Sequence, residues 1–507
     1  MKMNSALRFS ALAVAGMIAS IPAQAGEADL IKEMKRLSAR LEALEKRNQE
    51  LENRLATPVA APAATLEKRV AQLEESKAQV EQSLNSERLS DKDSEEIMRL
   101  KDVEFRVLSM QKQARTIESL EGISVGASLV MVGQSANSAA IAAGSNKSEL
   151  NYRGDISVTL PGGEIGNAEG SIFAQFRVGQ GNGLALNNTY SSTPNSTAFS
   201  LTNSDDASAI LAQAWYQLDV PLPFGGHKPN SREHLEINAG KIDPFVFFDQ
   251  NVAADDESAK FLNNAFVHNP LLDSGGDAGV DAYGFTPGFR LAYHSELSKP
   301  KFWRASVGVF GSGNGASFDD SFKKPFVIGQ LEFGRKLFGG LDGNYRAYAW
   351  TNGQNIAYQN EVGPELERHS GWGLSMDQRV GDAATLFARF GQNVDGQTRF
   401  DQALTLGAEL GGSDWGRSGD GLGLAMGWLK TSSDFKQNSS SLDADGDGLP
   451  DFAYAANGTE QLAELYYRIR LNNKLELTPD FQWIANPGGD KSAPDAKVWG
   501  LRAKVSY

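Results

Sequence analysis

The sequence predicts an all-β transmembrane barrel of about sixteen antiparallel strands, preceded by an α-helical coiled coil, and three observations carry that prediction. Leucines recur every seven residues near the N-terminus. From Gly122 onward the hydrophobic period drops to two, the period of a strand with two unlike faces. The connections between those strands alternate between short and long, as they do when a closed barrel has one side of tight turns and one side of loops.

Taken in chain order, residues 1–25 read as a removable leader. Lys2 and Arg8 make a positive start, Phe9 to Ile21 is apolar, and Ala23-Gln24-Ala25 supplies small residues for cleavage. The apolar run is shorter than the roughly 18–20 residues that cross a bilayer as a helix. Residues 26–121 read as a periplasmic helical segment. Leu30, Leu37, Leu44 and Leu51 form one seam, and Met34, Leu41, Asn48 and Leu55 form the other. Such a narrow stripe needs partner helices to bury it, which predicts a homotrimer and a segment able to contact peptidoglycan. A Pro/Ala linker near 57–64 interrupts the helix. A weaker heptad follows through Leu66, Val70, Leu73, Val80 and Leu84, then a last helix from Val103 to Ile117.

The barrel domain spans 122–507. Strands are expected to begin near Gly122, Glu149, Ala168, Ala207, Glu233, Phe285, Phe302, Pro325, Asp342, His369, Ala383, Gln402, Gly421, Thr459, Lys474 and Ala496. Asn472-Asn473, Gly381-Asp382 and Phe338-Gly339-Gly340 are tight turns. Gly133–Ser148, Gln180–Asp206, Pro244–Gly284 and Thr431–Gly458 are long loops. The last strand ends on Tyr507 at outward parity, the form of an outer-membrane assembly signal. These features place the chain in a Gram-negative-type outer membrane, with its short turns and its N-terminal coil on the periplasmic side.

Composition removes several functions. The net charge is −14, which argues against nucleic-acid binding. There is no cysteine, hence no disulfide or thiolate chemistry. His227, His234, His268, His294 and His369 show no metal-ligand spacing along the chain and read as ordinary polar residues. No G-x-S-x-G and no convincing nucleophile–base order is present, so no enzymatic activity is expected.

If apolar residues face lipid, the opposite parity faces the lumen. That parity collects Arg153, Arg177, Arg290, Arg304, Arg346, Arg389, Arg468 and Arg470 with Asp480, and the aromatics Trp215 and Tyr466. The loop 244–284 adds Asp249, Asp255 and Glu257 among an unusual number of Phe residues, which predicts that it folds into the barrel. Charged groups beside aromatic faces suit sugars, whose C–H faces stack while their hydroxyls hydrogen-bond. Asp443, Asp445, Asp447 and Asp451 form a D-x-D-x-D-G-x-x-D loop that could take Ca²⁺, although Tyr454 stands where a complete EF-hand has Glu. No cofactor is otherwise expected.

Two stretches resemble a known family. Ala239-Gly240-Lys241-Ile242-Asp243-Pro244, with Phe248-Asp249-Gln250-Asn251 and Phe261-Leu262-Asn263, looks like the mid-chain signature of carbohydrate-selective (OprB-type) porins. Glu464-Leu465-Tyr466-Tyr467-Arg468, with Leu477-Thr478-Pro479-Asp480-Phe481-Gln482 and Asn486-Pro487-Gly488-Gly489, looks like the C-terminal hairpin of the same family. The resemblance covers roughly 122–507. It implies a sixteen-stranded barrel that passes small hydrophilic solutes, sugars foremost, by facilitated diffusion through an arginine- and acid-lined constriction. An anion or phosphate channel, and a coil-tethered anchor protein, remain the alternatives.

Overall fold

Alternation of apolar and polar residues has one stable outcome when lipid lies on one side and a wet lumen on the other. Every backbone N–H and C=O must be paired within the bilayer, so the sheet has to close. The computed structural model describes residues 122–507 apart from 192, 200–205, 224–230, 357, 359–365 and 445. Sixteen strands follow one another: β1 (Ser124–Ala136), β2 (Ser148–Ile165), β3 (Ala168–Gln180), β4 (Ser208–Leu222), β5 (Glu233–Ile242), β6 (Thr286–Ser295), β7 (Phe302–Phe310) and β8 (Phe326–Leu337). They continue with β9 (Leu341–Ile356), β10 (Leu366–Arg379), β11 (Ala384–Asp395), β12 (Phe400–Gly411), β13 (Gly421–Thr431), β14 (Thr459–Arg470), β15 (Leu475–Ala485) and β16 (Ala496–Ser506). Each pairs antiparallel with the next, and β1 pairs with β16, Ser128 lying opposite Ser506. The barrel is closed and has no edge strand.

The two faces differ as the alternation requires. Leu129, Met131, Phe176, Phe289, Leu291, Leu331, Leu406 and Leu465 stand outward on the lipid face. Arg153, Arg290, Glu332, Arg346, Arg389, Glu464 and Arg502 are buried inside. No helix among the described residues is long and apolar enough to cross a membrane, so the crossing is made by strands. This supports placement in the outer membrane.

One expectation is corrected. No coiled coil is present among the described residues, whose helices are as short as α1 (Asn264–Val267) and α2 (Ser433–Asn438). The heptads and the 57–64 linker lie outside the described residues, and so does the periplasmic coil inferred from them. The fold is therefore stated as the barrel alone, with family resemblance and location resting on that barrel.

Two loops on the long-loop side matter for the site: L2 (181–207) between β3 and β4, and L3 (243–285) between β5 and β6. L3 turns inward. Phe248, Phe261, Phe266, Leu271 and Leu272 pack in one cluster with Phe310, Phe326, Ile328, Tyr348, Phe387 and Tyr466 from the inner wall. Burying so many rings contributes stability at about 25 cal/mol per Å², and it explains why this connection carries aromatics that a solvated loop would not.

Candidate pore constriction

L3 leaves β5 through Asp243, whose side chain accepts the N–H of Phe245 and caps a short 3₁₀ turn at Pro244–Val246. The chain then crosses to the far wall, where Asp249 anchors it. Asp249 is fully buried and accepts from the Asn269 N–H at 2.6 Å, the Tyr348 hydroxyl at 2.7 Å and Arg389 Nε at 3.1 Å. Arg389, also fully buried, donates to the carbonyls of Phe266 and Asp249. The wall is pared back to admit this turn. A Cβ at Gly373 would come within 2.5 Å of the Tyr348 ring, and one at Gly391 within 2.5 Å of Asn269 Oδ1.

The opposite wall holds the rest of L3. Arg502 donates to the carbonyls of Glu257 and Lys260, and Lys504 donates to Ser258. The amides of Leu262 and Asn263 both donate to Glu464 on β14. Arg468 lies 3.2 Å from Glu409, which also pairs with Lys260 at 3.0 Å. L2 folds in against this side. Glu460 on β14 accepts the amides of Tyr190 and Ser191 from L2 and of Gly488 from the last loop.

What stays open is a polar cavity of about 840 Å³ between L2, L3 and the wall. Its charged rim is Arg153, Arg177 and His268 on one count, and Asp243, Asp255, Glu257, Asp273 and Asp281 on the other. Arg153 bridges Asp155 at 2.9 Å and Glu257 at 2.7 Å, and Arg177 reaches Asp155 at 2.8 Å. Aromatic faces stand among these charges. Phe245 stacks on His268 at 3.8 Å, Phe199 lies 5.6 Å from Tyr283, and Arg177 sits 5.2 Å over Phe285.

Burial pushes Asp255 up to about 7, opposed by His268 and Arg389. Burial works against the charge of His268, but Asp273 and Asp255 prevail and hold it up to about 9. Glu257 also pays for burial, yet Arg153 holds it below the usual carboxylate range.

A second charged structure runs along the wall below L3. Arg290, Glu236, Arg304, Glu332, Arg346 and Asp377 alternate in sign across strands β5 to β10, at 2.9, 3.6, 3.4, 2.8 and 2.9 Å between successive members. Register explains the alternation, because Arg304 lies opposite Glu332 and Glu332 opposite Arg346. Arg290 is fully buried with its guanidinium 4.5 Å from the Phe247 ring.

The sequence-predicted residues therefore divide. Arg153, Arg177, Asp255 and Glu257 line the cavity together. Asp249 and Arg389 anchor the loop, and Arg290, Arg304 and Arg346 belong to the wall ladder. Trp215 packs on Phe173 at 4.9 Å and Phe247 at 5.5 Å. Tyr466 is buried against Phe261 at 5.0 Å, and Asp480 is buried beside Gln482. Arg470 pairs with Glu476 at 2.7 Å at the short-turn rim, away from the loop. In loop 443–451, Asp443 accepts the amides of Gly446 and Gly448, Asp447 that of Leu449, and Asp451 that of Ala444. Asp445 lies outside the described residues.

Sequence spacing missed two histidine sites. His268 sits in the cavity wall. His234 and His294 face each other across β5 and β6 with Glu236 beside them, and one ligand atom from each of the three lies within 4.8 Å of the others. Among the described residues this is the one such group able to chelate a metal ion. Strand register, not spacing, creates it.

The chain is similar to known proteins in sequence and in fold. Residues 172–507 match the model of the family described as carbohydrate-selective porin, OprB family. The barrel is similar to the high-pH structure of Pseudomonas putida OprB, with a TM-score of 0.58 at 17% identity, covering 78% of this chain and 96% of that one. The low-pH structure of the same protein aligns with a TM-score of 0.41 at 16% identity over 78% of this chain and 96% of that one. A loop-deletion mutant of OmpT from Vibrio cholerae aligns with a TM-score of 0.43 at 10% identity over 76% of this chain and 99% of that one. No curated protein matches by sequence.

Proposed function

This chain belongs to the OprB family of carbohydrate-selective porins, and from that premise we propose which of its residues meet the solute. It is an outer-membrane channel for passive diffusion of small hydrophilic solutes, with no covalent chemistry. The selective step is passage through the cavity between L2 and L3. Arg153, Arg177, Asp255 and Glu257 supply donors and acceptors for sugar hydroxyls, and Tyr283, Phe245 and Phe285 supply faces for the C–H surface of the ring.

The carrying observation is that aromatic faces and fixed charges of both signs surround one open volume of about 840 Å³, large enough for a small saccharide. The same rim weighs against an anion or phosphate channel, because its five carboxylates outnumber its three basic groups. The anchor reading depended on the coil and has no support from the barrel.

Single-channel conductance in a planar bilayer, titrated with glucose, maltose and phosphate, tests the reading. Sugar block should weaken about tenfold in Tyr283→Ala and Arg177→Gln, the loss of about 1.4 kcal/mol of contact, while KCl conductance persists. Block by phosphate alone, or sugar block indifferent to both substitutions, would overturn it. The leader over 1–25 and the barrel domain over 122–507 belong to the same proposal, and N-terminal sequencing of the mature protein checks the first. Calcium at 443–451 rests on the sequence pattern, and chelation that leaves the loop's protease sensitivity unchanged removes it. Homotrimeric assembly and peptidoglycan contact also stand on sequence alone, and cross-linking in cells tests both.

A further inference from the structure

We propose that His234, Glu236 and His294 form a binding site for a borderline divalent metal ion of the Zn²⁺ type, on the lumen wall at the periplasmic mouth. The three side chains share the inward parity of β5 and β6. His234 lies directly opposite His294, with ring centroids 4.8 Å apart. Glu236 Oε1 is 3.3 Å from His234 Nε2 and 3.7 Å from His294 Nδ1. A tetrahedral ion with bonds of about 2.0–2.1 Å has ligand-to-ligand edges of about 3.3 Å. Two of the three edges are therefore close to the required length before any side chain moves. Two imidazoles and one carboxylate form a donor set suited to zinc, with the fourth position left for water or solute.

The surroundings fit a cation better than the nearby arginines first suggest. Arg290 Nη1 holds Glu236 Oε2 at 2.9 Å, which orients the carboxylate and leaves Oε1 toward the histidines. Arg304 Nη2 is the competitor, 3.6 Å from Oε1, but Arg304 also has Glu332 at 3.4 Å and can remain there when an ion enters. Asp219 stands opposite Glu236 in register on β4, which sets two carboxylates against the two guanidinium groups. The buried Nε2 of His294 has no hydrogen-bond partner, while Nδ1 of the same ring already faces Glu236 Oε1. All three side chains retain some exposure to the lumen, which gives the ion a route in. A bound ion adds two positive charges beneath L3 and lowers cation conductance from that side.

Isothermal titration of the detergent-solubilised barrel with Zn²⁺ alone, paired with addition of Zn²⁺ to the periplasmic side of a planar bilayer, tests the site. One ion should bind per barrel and depress conductance reversibly with EDTA. His234→Asn and His294→Asn should each weaken binding and block by at least about tenfold. Arg304→Gln should strengthen both, a gain that a misfolded variant cannot give. Mg²⁺, which prefers oxygen ligands, should have no effect. Heat-modifiable gel migration confirms that each variant is a closed barrel. No saturable binding by the unaltered protein, or binding and block unchanged in both histidine variants with closed barrels, overturns the proposal.

Discussion

Asp249→Asn isolates what holds L3 across the lumen. The substitution keeps the side chain's size and removes its charge. Asp249 and Arg389 are both fully buried at 3.1 Å, so the guanidinium would be left with the carbonyls of Phe266 and Asp249 and with Asp255 at 4.0 Å. Stranding one member of a buried pair costs about 3–5 kcal/mol. Taking the lower end, at about 1.4 kcal/mol per decade, the undocked population of the loop rises roughly a hundredfold. The Asn269 amide, which donates to Asp249 at 2.6 Å, reports that change directly. Hydrogen exchange of L3 peptides in detergent should show a comparable loss of protection around 264–272, and single-channel records should show larger, noisier openings. Asp249→Asn combined with Arg389→Met removes the stranded charge and should recover much of the protection. Unchanged exchange and unchanged conductance in Asp249→Asn would refute the anchor.

Three further outcomes follow from the same geometry. Asp255, pushed up to about 7, gains its negative charge as the pH rises from about 6 to about 8, while His268, held up to about 9, keeps its positive one. Cation preference measured as reversal potential in a KCl gradient should therefore increase over that interval, and Asp255→Asn should flatten the profile. Glu460→Gln replaces an acceptor of three buried amides with a group that must turn a donor toward one of them. It should cost about 1–3 kcal/mol and expose L2 to limited proteolysis at a lower temperature. Gly391→Ala forces Asn269 away from the wall, with an overpacking cost of about 1–3 kcal/mol, and should lower the gel-unfolding temperature of the closed barrel.

The strands were legible because lipid imposes the alternation strictly. Predicted and observed starts differ by no more than three residues, the widest gap being His369 against Leu366. The inward set was legible for the same reason, but parity assigns only a face. It does not say that Arg389 ends buried on Asp249 while Arg470, of equal parity, sits at the rim with Glu476. Those fates depend on height in the barrel and on the path of L3. His234 and His294 show the limit most plainly. Ligand spacing is sought along the chain, whereas an antiparallel pair brings together residues at mirrored distances from a turn. The role of L2 was hidden in Glu460, whose partners Tyr190 and Ser191 come from a distant loop.

The seam between β1 and β16 has a consequence for how the molecule comes into being. Ser128 meets Ser506 only after the whole barrel sequence has been made, and Glu257 and Lys260 depend on Arg502 of that last strand. Such long-range pairings are the slowest to form. A nascent barrel short of β16 would present two open edges to hydrocarbon, where unpaired backbone cannot persist. Synthesis, insertion and the setting of the constriction are thus completed by one event, so a chain truncated before Ala496 would be a barrel that never shuts rather than a weakened channel.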